Sequence, residues 1–227
     1  LYARDFPYCF DIVGYRIPSL NRLEKILGNQ EGFLIDYFKL QGIYEQLENM
    51  KPLTKEQQRN LASIDPYYTK AFEQVKQQID AKVAESKVKA GKRIREVPSV
   101  SEKKLFDAIM ARYKGKVVMV DLWATWCGPC RGAIASFEPR KNKFKDKDVV
   151  FVYITNESSP ESKWLEMVAG IEGEHYRLNR KQWDYICDYF GVDGIPSYVI
   201  VDRDGNARLR NDLRGSGMLE QELSGML

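Results

Sequence analysis

The chain has 227 residues, 44% hydrophobic and 30% charged, which suits a globular protein with a real core built as one large domain or two small ones. A net charge of +3 is too weak and too dispersed to argue for nucleic acid, and four cysteines are too few for a disulfide scaffold. No apolar run approaches the ~20 residues that cross a bilayer. The chain starts at Leu1 rather than Met, without a basic-then-apolar leader. It reads as a processed or truncated piece, so a missing signal says nothing about compartment.

Residues 1 to 18 look irregular or strand-like, with Pro7 and Pro18 as interrupters. From there the pattern is helical. Ser19 is placed to cap a helix carrying Leu20, Leu23, Leu27, Leu34, Phe38, Tyr44 and Leu47, with a break expected near Asn29 to Gly32. Thr54 and Gln57 form a capping box, and Asp65-Pro66 opens a helix with Tyr68, Phe72, Val75, Ile79 and Val83 on one face. Residues 1 to 98 hold 16 Lys/Arg against 13 Asp/Glu, whereas the rest holds 19 of each. Much of that surplus falls in Lys82 to Arg95, which loses its apolar stripe and reads as a fraying helix end running into a linker. The expected division is therefore a mainly helical region, 1–97, and a second domain, 98–227. The helical half carries no catalytic pattern, and its aromatic stripes read as bundle packing.

Downstream, strands alternate with helices. Ser99 and Glu102 are expected to box a helix bearing Leu105, Phe106, Ile109 and Met110. Strand 117–123, helix 128–145, strand 149–154, a helix opened by Ser159-Pro160, and helix 180–190 follow in order. The last of these places Trp183, Ile186, Cys187 and Phe190 on one side. Strand 195–202, a turn at 203–206, a return strand at 207–209 and a final helix near 218–227 complete the series. Two βα units with a terminal hairpin and helix predict an α/β fold, a mixed sheet covered on both faces.

The chemistry concentrates in Trp126-Cys127-Gly128-Pro129-Cys130, where a strand gives way to a helix. The first cysteine of such a pair sits at the helix N-terminus, where unpaired N–H groups and the helix dipole favour a thiolate. The second, about one turn on, can attack a mixed disulfide formed at the first. A structural disulfide and half of a zinc site are the plain alternatives. Zinc needs about four ligands, and only Cys9, Cys187 and His175 remain, all distant in sequence. A disulfide spanning two residues constrains the unfolded chain little. Redox chemistry is the favoured reading. Cys187, on its apolar stripe, reads as a small buried hydrophobe, and His175 as an exposed loop residue.

Two stretches carry a resemblance, GKVVMVDLWATWCGPCR at 115–131 and YFGVDGIPSYVIVDRDGNA at 189–207. With them, residues 99–227 resemble a thioredoxin-fold domain, specifically the membrane-anchored or periplasmic thiol–disulfide oxidoreductases of TlpA/ResA type. The resemblance implies Cys127 as nucleophile and Cys130 as resolving cysteine. It implies Trp126, Gly128, Pro129, Ile195 and Pro196 as the substrate-binding surface, with a cis bond before Pro196; an ordinary trans proline opening a strand is the alternative. Asp121 matches the buried aspartate of thioredoxins. Desolvation there raises a carboxyl's pKa and suits it to take the proton of Cys130, whereas a hydrogen-bonded structural acid is the plain alternative. Two positions depart from the family. Ala133 stands where a glutamate is common, and Ala135 stands where a proline is usual, with Pro139 next available. An active-site helix that bends later, or not at that position, is expected.

The expected function is reduction of disulfides in extracytoplasmic proteins by the Cys127/Cys130 dithiol, with no other cofactor and no metal. The expected partners are disulfide-containing protein substrates and an upstream thiol donor, which can be membrane-bound, and no nucleic acid. The expected location is periplasmic or otherwise extracytoplasmic. A disulfide oxidase or isomerase is the first alternative; a binding protein or metallochaperone, with His175 as distant ligand, is the second.

Overall fold

A computed structural model of the chain describes residues 25, 28, 32–48, 53–214 and 218–227. Cys9, the irregular stretch 1–18, the Ser19 cap, Leu20, Leu23, Leu27 and the expected break before Gly32 lie outside these residues. The described residues divide into two compact units, one within residues 32–76 and the other running from Gln77 to Leu227.

The first unit holds helices α1 (Phe33–Glu48), α2 (Lys55–Ala62) and the start of α3 (Pro66–Ala90). Thr54 and Gln57 close the expected capping box on α2 at 2.9 and 3.1 Å. Asp65 Oδ1 accepts the Tyr67 N–H at the start of α3. The buried face of α1 runs through Ile35, Leu40 and Ile43, not through Leu34 and Tyr44, which are exposed. Two polar residues on that face disguise it. Asp36 accepts the Asp65 N–H and Lys39 donates to Ser63 Oγ, so both are buried against the turn between α2 and α3. Leu40, Ile43, Ile64 and Phe72 form this unit's core.

The second unit begins inside α3, at Gln77, whereas the expected division lies between residues 97 and 98. The stripe along α3 serves two cores: Phe72 packs in the first, while Ile79, Val83 and Ala90 pack in the second. The basic stretch then covers a sheet edge rather than hanging free. Arg95 N–H donates to His175 O and His175 N–H to Arg93 O, and the Arg95 guanidinium pairs with Glu174.

The sheet contains β1 (Val117–Leu122), β2 (Val149–Asn156), β3 (Glu174–Leu178), β4 (Ser197–Val201) and β5 (Ala207–Leu209), in the order β3-β2-β1-β4-β5. β1, β2 and β3 run parallel, while β4 and β5 are antiparallel. This is the expected mixed sheet of a thioredoxin-like fold, with helices on both faces and a helical N-terminal region before it. The strand β3 was not expected from sequence. Helix α4 (Glu102–Met110) and α7 (Arg180–Phe190) cover one face through Leu105, Ile109 and Ile186. Helices α5 (Gly128–Phe137), α6 (Glu161–Val168) and α8 (Met218–Gly225) cover the other through Ile134, Trp164, Leu165 and Leu223.

Two local expectations change. Ser101, not Ser99, is the N-cap of α4 and makes no side-chain capping bond. The helix opened by Ser159-Pro160 is α6, with Pro160 as its N-cap, while the Ser159 hydroxyl is taken by Thr125 N–H and Thr155 Oγ1 inside the fold. The expected helix 128–145 is α-helical only to Phe137 and continues as 3₁₀ from Glu138 to Phe144. Pro139, having no N–H to donate, sets that change, so the active-site helix breaks late as the sequence departure implied.

All four tryptophans (123, 126, 164 and 183) lie in the second unit, so tryptophan fluorescence reports its unfolding alone. Val83→Ala is expected to lower the stability of that unit in urea by ~1–2 kcal/mol, as large-to-small core changes do. An unchanged fluorescence midpoint would mean that α3 is not part of this core.

Candidate functional site

β1 is buried along its whole length and delivers the chain to one end of the sheet, where Trp123, Ala124 and Thr125 turn it into α5. Cys127 is the N-cap of α5, with extended backbone angles, and Pro129 occupies the first turn, where its missing N–H costs nothing. The Cys130 N–H points at Cys127 Sγ across 3.1 Å. The two sulfurs are joined in a disulfide with their Cα atoms 5.3 Å apart. Sγ of Cys127 here stands in for the atom that becomes thiolate on reduction. The helix's first N–H groups and its dipole favour that charge. The two cysteines are not equally exposed: Cys127 as a residue retains 4% and Cys130 none. An incoming reactant therefore meets Cys127.

Ile195 and Pro196 come to the same place from the start of β4, joined by a cis peptide bond. The Ile195 carbonyl oxygen lies 3.8 Å from Cys127 Sγ. Trp126 is 62% exposed beside the disulfide, and its indole N–H donates to Ser158 Oγ at 3.0 Å, so the ring is tethered rather than loose. Gly128 and Pro129 are exposed on the helix's first turn. The fold thus brings Cys127, Cys130, Trp126, Gly128, Pro129, Ile195 and Pro196 to one end of the sheet.

Asp121 is 1% exposed, on the face it shares by strand alternation with Met119 and Trp123, which belong to the same core cluster as both cysteines. Its neighbours across the sheet are Tyr153 and Tyr198. Oδ1 has no hydrogen-bond partner among the described residues. Burial pushes the carboxyl up to about 8, and the Lys141 ammonium pulls in the opposite direction. Lys141 is the residue that sequence reading missed. It is buried, hydrogen-bonded to Glu138 Oε2 and Glu172 O, with its ammonium 4.7 Å from the Tyr153 ring centre. It falls on the stripe Phe137, Lys141, Phe144 at helical spacing, a signal hidden in a run of lysines. Burial lowers its own pKa, against the pull of Glu138.

His175 corrects the sequence reading outright: it is fully buried in β3, not exposed in a loop. Its ring stacks on Tyr153 at 4.9 Å and 14°, and Nε2–H donates to Ile171 O. Burial drives its pKa down to about 3, so it is neutral. Gly173 lets the chain pass over Tyr153: at φ +136°, a Cβ there would meet Phe151 O at 2.7 Å and the Tyr153 ring at 2.9 Å. Cys187 is half-buried and free, its thiol pushed up to about 11 by burial and then by Asp184 and Asp188. Among the described residues no cluster of three metal-ligating side chains forms.

The Asp121 shift has a stability consequence with a definite sign. The folded protein holds this proton more tightly than the unfolded chain, so stability falls as pH rises from about 4 to about 8. His175 acts oppositely below 6.5, because its neutral form is the folded one, which leaves the Asp121 slope unopposed by His175 between 6.5 and 8. In urea titrations of the oxidised protein, the parent is expected to lose ~1–2 kcal/mol relative to Asp121→Asn across that interval. Parallel pH profiles would show an ordinary carboxyl.

The chain is similar to known proteins over the stretch that holds both cysteines. A thioredoxin-like family model matches residues 115–207. The thioredoxin-like protein YneN of Bacillus subtilis is 39% identical over 92 residues, 40% of this chain and 54% of its own. The thiol-disulfide oxidoreductase ResA of Bacillus anthracis is 24% identical over 92 residues, covering 40% and 52%. A thioredoxin of Coprinus comatus is 42% identical over 40 residues, 18% of this chain and 38% of its own. Among the first of these curated relatives, the match spans between 26% and 65% of their length. A thiol:disulfide interchange protein from Chlorobium tepidum, 24% identical, is similar in structure over 52% of this chain and 83% of its own, with a TM-score of 0.44. The stretch 115–207, which holds both cysteines and the Ile195–Pro196 turn, matches the thioredoxin-like family model and is similar to YneN and to the thiol-disulfide oxidoreductase ResA.

Proposed function

We propose that this protein reduces disulfides in extracytoplasmic proteins. The observation that carries the reading is the Cys127 sulfur at the start of α5, with the Cys130 N–H aimed at it and its partner sulfur behind it. In the reduced protein the Cys127 thiolate attacks a substrate disulfide. A mixed disulfide forms, and the first substrate sulfur leaves as a thiolate that takes a proton from water. Cys130 then gives its proton to the Asp121 carboxylate and attacks Cys127 Sγ. The second substrate thiolate leaves, the substrate has gained two electrons, and the Cys127–Cys130 disulfide is restored. An upstream dithiol donor, which can be membrane-bound, returns those electrons. In that reverse step a protonated Asp121 supplies the proton that Cys130 needs as it leaves.

An acid whose pKa lies close to working pH suits both directions, and burial puts Asp121 there. Trp126, Gly128, Pro129, Ile195 and Pro196 form the surface that a substrate segment meets. The Gly-Pro pair between the cysteines and the isoleucine before Pro196 are thioredoxin choices, which favours reduction over oxidation. The extracytoplasmic location is inferred from the resemblance to TlpA/ResA-type proteins. The metallochaperone alternative lost its distant ligand when His175 proved to be buried and hydrogen-bonded to Ile171.

Insulin reduction driven by dithiothreitol is expected to require Cys127 and to vanish in Cys127→Ser. Cys130→Ser is expected to leave the first attack intact, so that client proteins accumulate on Cys127 and can be identified by mass spectrometry. The dithiol potential is expected near thioredoxin's, about −270 mV; a value near DsbA's, about −120 mV, would make the protein an oxidase instead. Asp121→Asn is expected to slow turnover and to remove the rise in rate as pH approaches about 8. A variant that kept the parent's pH profile would exclude Asp121 as the proton acceptor.

A further inference from the structure

An open groove of about 480 Å³ runs beside the disulfide, lined among the described residues by Pro129, Gly132, Ala133, Ser136, Pro196 and Arg214. Five of these six are small or rigid and uncharged. The face of α5 that follows Cys130 carries nothing larger than a serine along it, so the groove is wide enough for another chain's side chains. The sixth residue is an arginine, and the site reading gives it no role.

Arg214 is fixed, but only by one corner of its guanidinium. Nη2 donates to Ser197 Oγ at 2.6 Å, to Gly194 O at 2.9 Å and to Asp193 Oδ1 at 3.1 Å. Nε is buried without a partner, and Nη1 makes no hydrogen bond to a described residue. The Asp193 carboxylate is 78% exposed, so its attraction is largely screened and leaves the cation available to a second anion. A guanidinium held in place is pre-organised for a carboxylate, because its donors lie in one plane and little further freedom is lost on binding.

Position sets where that carboxylate would be. Ser197, which Arg214 holds, is two residues from Ile195, whose carbonyl lies 3.8 Å from Cys127 Sγ. An extended chain advances ~3.3–3.6 Å per residue. A side chain that meets Arg214 therefore belongs to a residue within about two to four positions of the substrate cysteine.

We propose that Arg214 is a specificity-determining residue: it makes the groove select protein segments that carry an aspartate or glutamate a few residues from the reactive cysteine. This rests on the oxidoreductase reading above and adds the substrate class to it.

The test uses the full chain and a set of disulfide-bonded peptides that differ only in placing Glu, Gln or Lys at successive positions around the cysteine. For the parent, kcat/KM is expected to favour Glu over Lys by ~10-fold or more at one or two adjacent positions, with the preference shrinking at high salt. In Arg214→Gln the ratio is expected to fall to within about twofold, whereas Arg214→Lys keeps part of it. A change that merely loosened the Pro196 turn would slow all three peptides together and leave the ratio intact. Equal rates for the three peptides in the parent overturn the proposal, as does a ratio that survives in Arg214→Gln. A preference of equal size at every position also overturns it, since that is the mark of diffuse charge. Should Arg214→Gln fail to fold, the position and salt dependence of the parent alone decides. Hydroxyethyl disulfide, small and uncharged, separates the two readings. If the parent reduces it but ignores peptide charge, only the Arg214 proposal falls; if the parent cannot reduce it, both fall.

Discussion

The bond on which the site depends is a weak one, from a backbone N–H of the first turn of α5 to the sulfur of Cys127 at 3.1 Å. It exists because β1 ends where α5 begins, and because the N-cap position leaves that N–H without a carbonyl partner. A cysteine at this cap puts a polarizable sulfur where other helices place a serine or aspartate oxygen. The same geometry that caps the helix stabilises the ionised sulfur. On the proposed reading, fold stability and nucleophile activation draw on this one interaction, and the partner cysteine is one turn away because the helix repeats at that distance.

Within the sheet the protein breaks the usual rule against polar groups in a core. Asp121, Tyr153 and His175 stand in one row across three parallel strands, with Lys141 over the tyrosine ring. Each member is tolerated for a physical reason. Asp121 holds its proton because the surroundings penalise its charge. His175 is neutral and donates to a carbonyl. Lys141 remains hydrogen-bonded to Glu138, at the end of the active-site helix, and to the Glu172 carbonyl that precedes β3. A cation in that position tempers the desolvation of Asp121, which brings the acid to the range where it can both take and give a proton near neutrality. Departures of this kind from a uniform apolar core are expected where function requires them.

Much of the second unit was legible because its signals are local and agree with one another. The run 117–123, the return strand 207–209 and helix 180–190 each combine one periodicity with a turn or cap; the last two came out where the sequence put them, and the first ends one residue earlier, at Leu122. The CxxC pair was legible because the spacing and the strand-to-helix change occur together. What stayed hidden depends on distant contacts. β3 has the sequence Glu-His-Tyr-Arg-Leu, in which four charged or titratable residues mask the strand. It is a strand because β2 pairs on one side and the segment around Ile94 on the other. Lys141 is one lysine among several, and only the fold turns it inward. The boundary near residue 76 was invisible because a single stripe on α3 runs on through two cores without a change of period. In α1, buried Asp36 and Lys39 broke the apolar pattern that would have marked the correct face.

The most direct measurement is pulsed alkylation of the reduced protein with iodoacetamide at pH 7, the modified cysteines being counted by mass spectrometry. Cys187, whose thiol burial pushes up to about 11, serves as an internal reference, and Cys130 is sealed from solvent. Cys127 is predicted to be modified first, more than tenfold faster than either. Faster labelling of Cys130 or Cys187, or a Cys127 that stays unmodified, would contradict the assignment of the reactive sulfur.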